Sequence, residues 1–260
     1  MRLFKNANFA TANMMMFMVG AISFATTVLM PQFLQTLMGY TAQSAGMVLS
    51  VSAILLLIEL PLVGRLIGSF QSRYLIAFGW ITLAIGMYVS TQRIDLLISF
   101  RSATLLRIGQ YLPMGFVFVP ATTAAYIGIR ADKSNAVAGL VNFTRNIGSS
   151  VGTSIVTTMI VRRSQFHQSR LVARTSMGNL RFQNAINGLA QQLTHAGLSL
   201  HEAQRQALAR IYASVQVQAA ALAYIDTFWV LGIAALVMFA LSFVLKRNDP
   251  HAGRGNISAH

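Results

Sequence analysis

From Asn6 to Ile58 the chain reads NANFATANMMMFMVGAISFATTVLMPQFLQTLMGYTAQSAGMVLSVSAILLLI, and nothing in that stretch carries a charge. A helix crossing the hydrocarbon core of a bilayer needs about 20 mostly apolar residues. The stretch holds two such lengths, separated by Pro31, Gly39 and Thr41, a turn-forming set. Outward from it the pattern repeats. Arg73 to Arg93 and Arg107 to Arg130 each enclose an uncharged run, Ser134 to Val161 contains the single charge of Arg145, and Thr227 to Leu245 contains none.

Six spans follow: Phe9–Met30, Ala45–Val63, Tyr74–Thr91, Ile108–Ile129, Asn135–Val161 and Ala223–Leu245. Backbone groups in lipid must bond within their own segment, so the spans are helices. The strict polar–apolar alternation of a membrane strand is not visible. The fold class read from this pattern is an all-α membrane protein, a six-helix bundle. Residues 1–161 form five transmembrane helices with short loops, and 162–222 form a long loop with partly helical character. Residues 223–246 are the last transmembrane helix and 247–260 a tail. Within the long loop, Ser199-Leu-His-Glu202 reads as a capping box, with Ser at the N-cap and Glu at N3. Leu200, Leu208, Ile211 and Val215 then recur at helical spacing, which predicts a helix that starts near Leu200 and runs on into the last span.

Composition supports the membrane class. Charged residues make up 10% of the chain, against roughly 25% in soluble domains. The net charge of +14 does not point to nucleic acid, because the basic residues sit at span ends and in one loop, where Lys and Arg meet lipid headgroups and set topology. With no cysteine, disulfides, thiolate catalysis and Cys-based metal sites are excluded. The five histidines lie outside the spans with no pair at i, i+4, so neither a metal nor another cofactor is expected. No Ser-His-Asp set, Walker loop or paired carboxylates appear, and an enzyme is not expected. The apolar run from Phe9 is too long for the roughly 7–15 residue h-region of a signal peptide.

Lys and Arg placement bears on orientation. With both termini inside, the inner side holds Arg2, Lys5, Arg65, Arg73, Arg130, Lys133, Lys246, Arg247 and Arg254, whereas the short outer loops hold Arg93, Arg101 and Arg107, nine against three. The seven arginines of the long loop remove the bias if counted, but loops near 60 residues translocate largely regardless of charge.

The polar groups inside the spans are the candidate functional residues. Arg145 stands eleven residues into its span, about 15 Å deep in a core of roughly 30 Å. Its insertion costs about 2.5–3.5 kcal/mol, so it must face protein or a water-filled cavity. Asn142, Arg145, Ser149 and Gly152 share a helix face, and Gly148-x-x-x-Gly152 forms a notch for close helix approach. Two roles fit Arg145: a tie between helices, or the handling of substrate or protons. Asp226 begins the last span, either as an interface cap or as a functional acid. Glu59 lies near the inner end of the second span, either protonatable or, as the spacing favours, paired with Arg65. Pro61, Pro113 and Pro120 are places where a span can kink or open. Gly64, Arg65 and Arg73 form a short basic loop, which positive-inside anchoring also explains.

Several segments resemble the C-terminal half of EmrB-type drug:proton antiporters, fourteen-span members of the major facilitator superfamily. They are Leu3-Phe-Lys5, Asn8-Phe9, Leu29-Met-Pro31-Gln, Gly39-Tyr-Thr41, Pro61-x-x-Gly64-Arg65, Phe118-x-Pro120, Asp226-x-Phe228-Trp229 and, most specifically, Asn142-Phe-Thr-Arg145-Asn-x-x-x-Ser150-Val-Gly152-Thr-Ser154. The resemblance implies the C-terminal lobe of a proton-coupled multidrug efflux transporter of the inner membrane, exporting amphipathic or hydrophobic compounds. It also implies cytoplasmic termini, a periplasmic long loop, and as partners an N-terminal transporter half, a periplasmic membrane-fusion adaptor and an outer-membrane channel. The chain is then expected to be a fragment. Glu59 falls where the resemblance leads one to expect an apolar residue, so no coupling role is carried over to it. A scaffold or binding half without transport activity is the alternative.

Overall fold

The computed structural model describes residues 7–127, 129, 131–173 and 178–245; Arg2, Lys5, Arg130 and the predicted tail 247–260 lie outside them. These residues form helices, and no strand occurs among them. They are α1 (Ala7–Thr36), α2 (Ala42–Ile67), α3 (Ser72–Arg93), α4 (Phe100–Tyr111), α5 (Pro113–Ala125), α6 (Ser134–Val172), α7 (Leu180–His195) and α8 (Leu200–Ser242), with a short 3-10 turn at Ala131–Lys133. The described chain falls into two compact units, Met1–Val156 with Thr227–His260, and Thr157–Asp226.

In the first unit α1 is apolar nearly all round and buries Phe9, Ala12, Met15, Met16, Val19, Ile22, Leu29 and Phe33, as a helix surrounded by others must. It packs on α5 and α2, and α3 packs on α4 and α5. Local signals set the helix ends. Gly39, at φ +69°, turns the chain after α1, and Thr41 caps α2 by accepting from Ser44 N–H at 3.2 Å. Ser99 caps α4 in the same way through Ser102 N–H at 3.2 Å.

Among the described residues four helices, α1, α2, α3 and α8, are long and apolar enough to cross a membrane. The predicted fourth span departs from a single helix. It is broken at Leu112 into α4 and α5, with Pro113 opening α5. Proline has no N–H to give to the carbonyl of Gly109, four residues back. That carbonyl instead lies against Gly86 of α3, where a Cβ would collide with it, so the break and a glycine crossing coincide. The predicted fifth span begins as expected, but its helix runs on to Val172. The predicted basic loop Gly64–Arg73 is mostly helix: Gly64 and Arg65 end α2 and Arg73 begins α3.

In the second unit the predicted loop 162–222 consists of the end of α6, then α7, then the start of α8. α8 begins at Leu200, where the capping box places it: Ser199 Oγ accepts from Glu202 N–H at 3.4 Å. α7 and α8 bury Ala190, Leu193, Ala203 and Ala207 between them, with Ile186, Leu189 and Leu198 alongside. The turn between them is a Schellman closure. Leu198 N–H reaches Leu193 C=O at 3.2 Å and Gly197 N–H reaches Thr194 C=O at 3.0 Å. Gly197, at φ +98°, takes the left-handed position that this motif needs.

Candidate functional site

A cavity of about 200 Å³ opens in the first unit where α1, α2, α4, α5 and α6 converge. Helix α1 supplies Val19, Gly20, Ser23 and Phe24, and α2 supplies Leu56 and Leu60. Tyr111 ends α4 on its wall, α5 adds Met114, Gly115 and Phe118, and α6 adds Arg145. The lining is apolar and aromatic, with one cation and few polar groups.

Glycine contacts place Arg145 there. Its backbone carbonyl lies against Gly20, where a Cβ would collide with it. One turn on, Gly148 rests against the backbone of Phe17, and Gly152 rests on Ala21. Helices α1 and α6 therefore meet backbone to backbone, as small residues permit in lipid, where close packing substitutes for the hydrophobic effect. The carbonyl and the Cγ of Arg145 make this helix contact, and Arg145 also lines the cavity. The guanidinium carbon lies 5.5 Å from the ring centre of Phe118, within cation–π range. Its Nε–H has no hydrogen-bond partner among the described residues.

The other sequence-predicted residues scatter around this centre. Asn142, on the same helix, is exposed, and Ser149 is half-buried with its hydroxyl turned to the carbonyl of Asn146 at 2.7 Å. The predicted polar face is thus divided, with Arg145 alone lining the cavity. Glu59 is buried, at 7% exposure, and neither carboxylate oxygen has a hydrogen-bond partner among the described residues. The expected ion pair with Arg65 is not formed, because Arg65 is exposed on the outer face of α2 while Glu59 points inward to Gly115. Pro61 is exposed within α2 and Pro120 buried within α5. Gly64 has open space around it, and Arg73 stacks on the ring of Tyr74 at 4.6 Å.

Asp226 belongs to the second unit, where it is no isolated cap. Its carboxylate lies 2.9 Å from His167 Nε2 and 3.5 Å from Arg163 Nε. His167, read from sequence as a loop residue, lies within α6.

Sequence reasoning also missed a buried polar group beside the cavity. Arg107, counted above among outer-loop charges, is 2% exposed; it donates to Thr27 Oγ1 at 2.7 Å and stacks 4.5 Å over the ring of cavity-lining Tyr111. Gln110, three residues on, donates to Ser90 Oγ at 2.8 Å. The available signal was Arg107-x-x-Gln110-Tyr111, polar residues at i, i+3 and i+4 on one helix face at the head of an apolar run.

No family model matches the chain. Among curated proteins it is similar to the multidrug export protein EmrB of Escherichia coli K12, 29% identical over 259 residues that cover 99% of this chain and 49% of that protein. The probable multidrug resistance protein EmrY of the same organism is 31% identical over 183 residues, 70% of this chain and 36% of its own length. The fatty acid resistance protein FarB of Neisseria gonorrhoeae is 26% identical over 200 residues, 76% and 39% respectively. The chain spans about half the length of the curated relatives it matches. The likeness that the sequence motifs carried, to one half of an EmrB-type multidrug transporter, is borne out, and with it the all-helical, multi-pass membrane fold.

Proposed function

We propose that this chain, a homologue of half of the EmrB-type multidrug export proteins, is the C-terminal lobe of a proton-coupled efflux transporter of the inner membrane. It moves amphipathic and hydrophobic compounds, with both termini cytoplasmic, residues 162–222 periplasmic, and a periplasmic adaptor and outer-membrane channel continuing the path.

The observation that carries this reading is the Arg145 cavity. Its volume of about 200 Å³ falls short of the roughly 300–1,000 Å³ of a drug-sized pocket. Secondary transporters place their sites near the bilayer midplane, where two repeats meet. A half-sized apolar pocket whose one cation forms no ion pair among the described residues suits one wall of such a site, completed by a second lobe. Helix α2 adds to the argument with a bare apolar surface at Ile54, Leu57 and Ile58, 57–68% exposed. Lipid or a second lobe must cover it. In this reading the aromatic walls hold the apolar part of a compound and Arg145 holds its polar or anionic end. Asn142, Ser149, Asp226 and Glu59 are further candidates along the substrate or proton path; Gly148, Gly152, Pro61 and Pro120 are packing and bending points; and Gly64, Arg65 and Arg73 face the cytoplasm.

The test is co-expression with the N-terminal half of an EmrB-type transporter in a bacterium lacking its own efflux pumps. Drug resistance that needs both halves is the expected result. Resistance from neither or no more than from the N-terminal half alone sinks the transporter reading and leaves a scaffold.

Topology has a separate check, because the chain contains no cysteine. Exposed Gln191 and Ser69 can each be replaced by cysteine and probed in spheroplasts with a membrane-impermeant thiol reagent. Gln191→Cys is expected to label, and Ser69→Cys to label only after the membrane is opened. The reverse pattern would invert the orientation.

A further inference from the structure

The carboxyl group of Glu59 has an unusual seat. A Cβ built on Gly115 of α5 would fall 2.7 Å from Glu59 Oε1 and 2.8 Å from its Cδ, so the carboxyl fills the space that any other residue's side chain would need there. Gly115 lines the Arg145 cavity, and so do Leu56 and Leu60, which flank Glu59 on α2. The carboxyl therefore lies against a residue of the cavity wall; Glu59 is 7% exposed, and both of its oxygens are unpartnered among the described residues.

We propose that Glu59 is a proton-exchange site of this lobe. Its carboxyl is neutral while seated on Gly115, and it releases its proton to water in the Arg145 cavity when α2 and α5 part. Helices α1, α4 and α5 pack against α2. Helices α1 and α5 carry no charged or titratable side chain, and α4 carries Arg101, Arg107 and Tyr111. Arg107 is turned to Thr27 and to the ring of Tyr111, with its Nε and Nη1 unpartnered among the described residues. On α2 itself Arg65 is exposed, and across the cavity α6 offers Arg145. Among the described residues, a carboxylate on Gly115 would have no hydrogen bond and no ion pair in its seat, which membrane interiors penalise severely. The neutral acid leaves only one O–H unsatisfied, a far smaller penalty. In the open cavity the order reverses, because water and the guanidinium of Arg145 both favour the anion. Seat and cavity thus select different protonation states of one group, so a proton taken up or lost is tied to whether α2 and α5 are closed or parted. This deepens the transporter reading, and it rests on that reading only for the use made of the proton.

The test is infrared difference spectroscopy of the full chain in lipid nanodiscs, titrated with acid and base. The chain has six Asp and Glu residues in all, so a buried protonated carboxyl can be assigned by substitution. The expected result is a protonated-carboxyl stretch present at neutral pH and lost in Glu59→Gln, while Glu202→Gln, at the exposed start of α8, leaves it unchanged. Gly115→Ala, which crowds the carboxyl from its seat, should change the frequency and the titration of that band. Should Glu59→Gln fail to reach the membrane, Glu59→Asp serves through its altered band. A chain with no Glu59-dependent band at neutral pH overturns the proposal, and so does a titration indifferent to Gly115→Ala. None of these readings involves a second lobe or transport. Their failure and a failed co-expression experiment are therefore separate results.

Discussion

An Arg145→Leu chain is expected to reach the membrane at normal level and, paired with an N-terminal half, to export poorly. The substitution removes a charge whose place in the bilayer costs about 2.5–3.5 kcal/mol, so insertion should not suffer. The packing of α6 on α1 should survive as well, because it uses the main chain of Arg145 with Gly148 and Gly152, and not the guanidinium. What disappears is the cation of the cavity. A hydrogen bond to a charged group contributes about 1.5–3 kcal/mol, so affinity for a compound with an anionic or strongly polar end should fall roughly 10- to 100-fold. Purely apolar compounds should be less affected, because Phe24, Phe118 and Leu60 remain. Arg145→Lys should recover part of the loss: it keeps the charge but not the planar stack on Phe118. Substrate binding to the two-lobe complex, with membrane abundance measured alongside, is the readout. If Arg145→Leu instead vanishes from the membrane, the residue is a helix tie and the cavity has no cation to offer.

The same substitution at two glycines of α6 is expected to act in opposite directions. At Gly148 a methyl group would collide with the backbone of Phe17, which cannot rotate away as a side chain can. Helices α1 and α6 must then separate, and overpacking of this kind costs about 1–3 kcal/mol. Gly148→Ala should lower the thermal midpoint of the detergent-solubilised chain, and Gly148→Leu should deplete it from the membrane. Nine residues earlier, exposed Gly139 has nothing within 4 Å of its would-be Cβ. There the gain in helix propensity stands alone, so Gly139→Ala should stabilise by about 0.5–1 kcal/mol. Equal shifts at the two positions would mean that the α1–α6 contact is absent in the membrane.

The sequence by itself determined what depends on composition along the chain. A charge-free run has no comfortable place except lipid or a helix core, so the long apolar helices α1, α2 and α3 were legible from composition. Caps are local bonds between residues three apart, so the start of α8 at Leu200 could be read from Ser199 and Glu202. The small-residue notch at Gly148 and Gly152 was legible as a place of close approach, but its partner, α1, was not. Tertiary structure decided everything that depends on which faces meet. Sequence spacing favoured Arg65 as the partner of Glu59, yet helix rotation turns Glu59 inward onto Gly115 and leaves Arg65 outside. Arg107 looked like a loop charge because it borders a span, and it is buried because Thr27, 80 residues earlier, and the ring of Tyr111 receive it. Asp226 and His167, 59 residues apart, meet only because α6 continues past its predicted end. Periodicity reports which residues leave water together. It carries no information about the partner across the gap, because side-chain pairing over tens of residues is set by how whole helices pack.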